Sequence, residues 1–188
     1  MPTAKRMRMP LAKPVLRCDK YLRLIVGGTY GYTRATEGKK KFHGGIDLYA
    51  QPGTDCYAIY DGIVTSVLKG NDFGNFVIAR VNFPDWKCWA VYAHLSKVLV
   101  TKGTKLQPGT VIGKTGTSGN SSPHYPHLHF EVWRSLKAGE SGTKEKYRID
   151  PLYVLGPIPY EPFAGEILAD RLQRALEHLR RSAVFQRV

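Results

Sequence analysis

Between residues 21 and 155 the chain is a series of short apolar runs, and no long amphipathic helix interrupts them. Gly62-Ile-Val-Thr-Ser-Val-Leu, Asn75-Phe-Val-Ile-Ala-Arg-Val and Trp89-Ala-Val-Tyr-Ala-His-Leu are the clearest. Their β-branched and aromatic side chains suit a pleated, half-buried surface. Asn71-Asp-Phe-Gly-Asn reads as a turn between the first two. Without crossover helices to join parallel strands, the expectation is a mainly β protein with an antiparallel β-sheet core. Nineteen glycines and twelve prolines supply the turns such a fold needs.

Around this core we expect two extensions. Residues 1–20 form a basic, Pro-containing N-terminal lead-in, 21–156 the domain, and 157–188 a Pro-rich linker followed by a basic helix. In the tail, Leu168, Leu172, Ala175, Leu176 and Leu179 recur at helical spacing, opposite Arg171, Arg174, Arg180 and Arg181. The expected C-terminal α-helix packs on the β domain or on another subunit, with a membrane-active tail as the alternative.

Lysine plus arginine number 28 against 15 acidic residues, a formal net charge of +13. That charge attracts polyanions: nucleic acid, anionic membrane and anionic cell-wall polymers alike. No contiguous basic stripe with interleaved aromatics is present, which argues against a nucleic-acid module. The basic start is not followed by an apolar run of signal-peptide length, and no segment is long enough to span a membrane. Cys18, Cys56 and Cys88 make neither a disulfide framework nor a metal clip; one disulfide or three free thiols both remain open.

The strongest chemical signal is His127-Leu-His129-Phe-Glu-Val-Trp. In a strand, Leu128, Phe130 and Val132 turn to the core, and His127, His129 and Glu131 share the other face. Two imidazoles on one face can serve one metal centre. Phe42-His43-Gly-Gly-Ile-Asp47 adds a histidine and a carboxylate four residues apart, with two glycines that let the backbone bend. His43, Asp47 and one histidine of the HxH pair would give three protein ligands, the pattern of a catalytic zinc. Tyr92-Ala-His94-Leu-Ser ends another strand-like run, with Tyr92 and His94 on the same face.

The order H-G-G-I-D, Y-A-H-L, P-H-L-H-F-E-V resembles the lysostaphin/LytM-type zinc metallopeptidases of bacterial cell walls. Gly103-Thr-Lys-Leu-Gln-Pro-Gly-Thr-Val-Ile-Gly-Lys-Thr-Gly resembles that family's turn-rich segment, Ile149-Asp-Pro-Leu its closing segment, and Gly28-Thr-Tyr-Gly-Tyr-Thr-Arg34 its lead-in. The resemblance covers residues 27 to 155. It implies an antiparallel β core with a groove whose floor holds one zinc ion, bound by His43, Asp47 and His129. His94 and His127 match the two non-ligand histidines beside the metal's water and the scissile carbonyl. The implied activity is hydrolysis of peptide cross-links in peptidoglycan, at the stem peptide or the cross-bridge.

No H-E-x-x-H helix is present, so general acid and general base fall to His94 and His127, in an order the residues leave open. Tyr92 and His124 are candidates for touching substrate. His124 lies in Asn120-Ser-Ser-Pro-His-Tyr-Pro, longer than the family's usual approach to the HxH strand. A non-catalytic cell-wall-binding or regulatory member of the fold is the alternative, although all five positions are filled. A lipoyl-type carrier is disfavoured by the missing carrier-lysine hairpin. The absence of a signal, the small size and the charge fit a phage lysis enzyme or an injected toxin. Such an enzyme acts at the wall or periplasm, meets an anionic envelope surface and, if a toxin, has an immunity partner.

Overall fold

The structure is a computed structural model that describes residues 7–17, 28–36, 39–84, 86–121, 123, 126–135 and 145–158. The strands are β1 (Gly31–Thr36), β2 (Lys39–His43), β3 (Ile46–Tyr49), β4 (Asp55–Tyr57), β5 (Gly62–Gly70), β6 (Gly74–Asn82), β7 (Lys87–Val98), β8 (Lys105–Leu106), β9 (Val111–Thr115), β10 (His127–Trp133) and β11 (Arg148–Ile149). Every pairing among them is antiparallel. β1 and β2 form a separate hairpin, and the other nine make one sheet. The mainly β, antiparallel expectation is borne out.

The long strands β5, β6 and β7 form a meander, consistent with their runs of Val, Ile and aromatic residues. β10 lies next to β7 and also pairs with β3, so the HxH strand has a neighbour on each side. Every residue of β10 is buried. Leu128, Phe130 and Val132 enter the main core with Ile46, Leu48, Tyr92, Leu95 and Ile112. Burying side chains of this size contributes roughly 1.5–3 kcal/mol each, which anchors β10 and fixes where its alternate residues point.

Residues 7–17 run along this core. Leu11 and Leu16 are buried in it, and Leu16 bridges Leu48 of β3. At the other end, Leu155 of the short α1 (Leu152–Leu155) and Ile158 also reach the core. The basic helix expected near 168–181 lies outside the described residues, as does Cys18. Cys56 and Cys88 are free and buried, and burial pushes both thiols up to about 12. Among the described residues, no helix is long and apolar enough to cross a membrane.

Candidate metal centre and active site

β2 ends at His43 and β3 begins at Ile46, with Gly44 and Gly45 between them. Both glycines serve close approach. A Cβ on Gly45 would stand 2.2 Å from the Phe130 carbonyl oxygen, and one on Gly44 2.5 Å from the Arg148 guanidinium. Neither glycine has a positive φ. Gly45 therefore lets the turn sit close against β10, and Gly44 makes room for the Arg148 side chain, which brings His43 and Asp47 to the same place as His129.

Each of the two histidines is tied from behind. His43 donates from Nδ1 to the Thr29 carbonyl at 2.7 Å, which leaves a lone pair on its Nε2. His129 Nε2 lies 2.9 Å from Glu131 Oε1. Glu131 in turn accepts from Arg148 Nε at 3.0 Å and from Trp133 Nε1. Burial raises the Glu131 pKa, but His129, Arg148 and Trp133 outweigh it and hold the carboxyl below its usual range. An anionic Glu131 fixes the proton of His129 on Nε2 and turns Nδ1 forward.

The forward atoms converge. His129 Nδ1 is 2.9 Å from Asp47 Oδ1 and 3.1 Å from His43 Nε2, and His43 Nε2 is 3.2 Å from the same oxygen. Two ring lone pairs and a carboxylate oxygen facing one another need a cation between them, either a proton or a metal. In the metal-free protein a proton serves. Burial lowers the His129 pKa, but Asp47 and Glu131 raise it to about 9. Asp47 is fully buried, which works against its charge, yet His127, His129 and His43 hold it well below the usual carboxylate range. With that proton displaced, the donors are two neutral imidazoles and a carboxylate, whose ligand atoms lie within 4.8 Å of one another. This set fits a divalent ion such as zinc, and the carbonyl–histidine and carboxylate–histidine pairs behind it are the usual second layer of such sites.

Two further histidines border the same point. His127 Nε2 is 3.6 Å from Asp47 Oδ1, and the His127 and His94 rings meet edge-on with centroids 4.9 Å apart. His94 reaches this position through its backbone. Its φ is +61°, the left-handed region, and its N–H donates to Phe73 O at 2.8 Å within a stretch of irregular register. Such a conformation costs a non-glycine residue on the order of 1–3 kcal/mol. It also breaks strand alternation. Tyr92, expected at the substrate on the same face as His94, is instead fully buried with its ring edge-on to Phe130. It is a core residue and does not line the groove.

His94 donates from Nδ1 to Ser118 O at 2.9 Å, leaving its Nε2 unprotonated. Burial, together with His127 and His129, lowers its pKa to about 3, so the ring stays neutral. The groove above these residues has a volume of about 480 Å³, with Lys41, Phe42, Asp72, Phe73 and Asn120 on its walls. Asn120 N–H donates to Asp72 O at 3.0 Å, which ties one wall to the β5–β6 turn. His124 lies outside the described residues. Sequence reasoning missed the Thr29 and Ser118 carbonyls, Trp133, Arg148 and Arg17. Arg17 Nη1 stands 3.0 Å from His127 Nδ1 and 3.7 Å from Asp47 Oδ2.

Comparison with known proteins places the chain among peptidases. The model of peptidase family M23 matches residues 41–146, a stretch that contains His43, Asp47, His94, His127 and His129. The peptidoglycan DD-endopeptidase ShyA of Vibrio cholerae is 36% identical over 90 residues, 48% of this chain and 20% of that protein. The glycyl-glycine endopeptidase ALE-1 of Staphylococcus capitis is 37% identical over 90 residues, 47% of this chain and 24% of that protein. The match thus spans about a fifth to a quarter of these relatives' length. Among solved structures, the catalytic domain of lysostaphin from Staphylococcus simulans superposes with a TM-score of 0.56 at 29% identity, covering 69% of this chain and 90% of that one. A zinc-containing peptidase from Vibrio cholerae gives a TM-score of 0.52 at 32% identity, covering 67% of this chain and 37% of that one. With more than half of its residues inside the family match, and the histidine groove among them, the chain belongs to peptidase family M23.

Proposed function

We propose that the chain is a zinc-dependent endopeptidase that hydrolyses the peptide part of bacterial peptidoglycan. The observation that carries this reading is the convergence of His43 Nε2, His129 Nδ1 and Asp47 Oδ1 beside two imidazoles that occupy no ligand position. Three protein ligands leave a position open for chemistry. When bound, zinc supplies a Lewis acid and lowers the pKa of water from about 16 to about 7.

This chain's residues supply the rest. His94 presents an unprotonated Nε2 to the groove, where it can accept a hydrogen bond from the attacking water and orient it. His127, across from it, is placed to donate to the developing oxyanion or to the departing amine. The C–N bond of the peptide breaks, the carbonyl carbon gains a hydroxyl, and the amine leaves with a proton. The named relatives cut different bonds, so we commit to the peptide portion of the wall and not to one linkage. The net charge of +13 favours an anionic envelope surface as a further contact.

The test is release of labelled peptide from purified sacculi by the full chain. We expect release that a chelator stops and added zinc restores, and that His94→Ala abolishes without loss of metal. Release indifferent to chelator, or no release from zinc-loaded protein on sacculi of several cross-link types, would contradict the proposal.

A further inference from the structure

We propose that Arg17 is a positioning residue for this reaction: its guanidinium fixes His127 as the tautomer with the proton on Nε2, making His127 the donor of the His94–His127 pair. The inference rests on the peptidase reading above and adds to it a residue far outside the HxH and H-x-x-x-D motifs.

The segment that carries Arg17 is stitched to β3. Arg17 N–H donates to Asp47 O at 2.8 Å, Tyr49 N–H donates to Val15 O at 2.8 Å, and Leu16 is buried opposite Leu48. The Arg17 side chain therefore starts from a fixed point one strand away from Asp47. It is 21% exposed and enters the groove at the back of the His127 ring. Its Nη1 lies 3.0 Å from His127 Nδ1.

The chemistry of that contact has one solution. A guanidinium has five donors and no acceptor, so His127 Nδ1 must accept. The proton of the neutral imidazole then sits on Nε2, the nitrogen nearer Asp47. Ser121 Oγ, 3.4 Å from the same Nδ1, can donate or accept and does not decide the tautomer. His94 is fixed the opposite way, because its Nδ1 faces a carbonyl oxygen that can only accept. The two rings thus offer the groove an N–H from one side and a lone pair from the other. Two rings of the same tautomer would offer two donors or two acceptors at the start of the reaction. Arg17 contacts Nδ1, on the opposite edge of the ring from Nε2, which lies 3.6 Å from Asp47 Oδ1. This separates a positioning role from that of a plug across the groove.

The test compares Arg17→Met and Arg17→Lys with wild type in the full, zinc-loaded chain. Zinc content and circular dichroism confirm that each variant is loaded and folded. Long-range ¹H–¹⁵N correlation spectra report which nitrogen of His127 carries the proton. Wild type should show the proton on Nε2. Arg17→Met should show mixed tautomers, a maximal rate on sacculi at least about tenfold lower, and an unchanged half-saturating sacculus concentration. Arg17→Lys, whose ammonium also only donates, should recover much of the tautomer and the rate. Four results would each overturn the inference: a wild-type proton on Nδ1, an Arg17→Met rate equal to or above wild type, a rate loss that tracks zinc loss, or a change confined to half-saturation. If wild type releases nothing from any sacculus, the peptidase reading fails, and the spectra alone still decide the tautomer claim.

Discussion

His129 and Asp47 stand directly opposite each other where β10 pairs with β3, with the carboxylate oxygen 2.9 Å from the ring Nδ1. Sheet register alone therefore holds two of the three donors together, and His43 completes the set from the end of the neighbouring hairpin strand. Removing either member of the opposed pair should remove the metal. We expect Asp47→Ala and His129→Ala to retain almost no zinc after dialysis, and His94→Ala and His127→Ala to retain about one ion per chain by metal analysis.

Zinc binding should be strongly pH-dependent. The pKa of His129 in the metal-free protein is raised to about 9, above its ordinary value, so the ring is protonated at neutral pH. A metal must displace that proton from Nδ1, and lowering the pH makes the displacement harder. Apparent zinc affinity should rise about tenfold per pH unit between about pH 6 and 8. Calorimetry in buffers of different ionisation enthalpy should record about one proton released per ion bound.

Glu131→Gln should weaken zinc without touching a ligand. The carboxylate holds His129 Nε2 from behind and is itself held by Arg148 and Trp133. Loss of such a support costs roughly 10–100-fold in metal affinity. Competition against a chromophoric chelator measures this directly.

Much of this site was legible from residue spacing. Alternation along His127–Trp133 put Leu128, Phe130 and Val132 in the core and His127, His129 and Glu131 on the groove face, and that is where they lie. Alternation failed at His94. A φ of +61° at a non-glycine residue has no signature in sequence, so residue spacing puts Tyr92 on the same face as His94, whereas it belongs to the core. The glycines at 44 and 45 are legible as needed, but for bending; at Gly45 it is the tertiary approach of the β10 backbone that excludes a side chain, and at Gly44 the Arg148 side chain fills the space. Arg17 reaches His127 across 110 residues and Thr29 acts through its carbonyl, and neither contact marks the residue type.

The close approach gives a stability prediction. Gly45→Ala would drive a Cβ into the backbone of β10, whereas Gly70→Ala meets only a Phe76 ring carbon at 3.6 Å. We expect Gly45→Ala to cost at least about 1–3 kcal/mol and to weaken zinc binding by shifting Asp47 off register with His129. Gly70→Ala should stay within about 0.5 kcal/mol of wild type. Denaturant melts of the two variants supply the comparison.

The most direct measurement is anomalous diffraction from crystals of the zinc-loaded protein, recorded on either side of the zinc edge. The account predicts one strong peak, about 2.0–2.2 Å from His43 Nε2, His129 Nδ1 and an Asp47 oxygen, with His94 and His127 beside it and unbound. A peak held by other residues, or one in which His94 or His127 replaces a member of that trio, would contradict it.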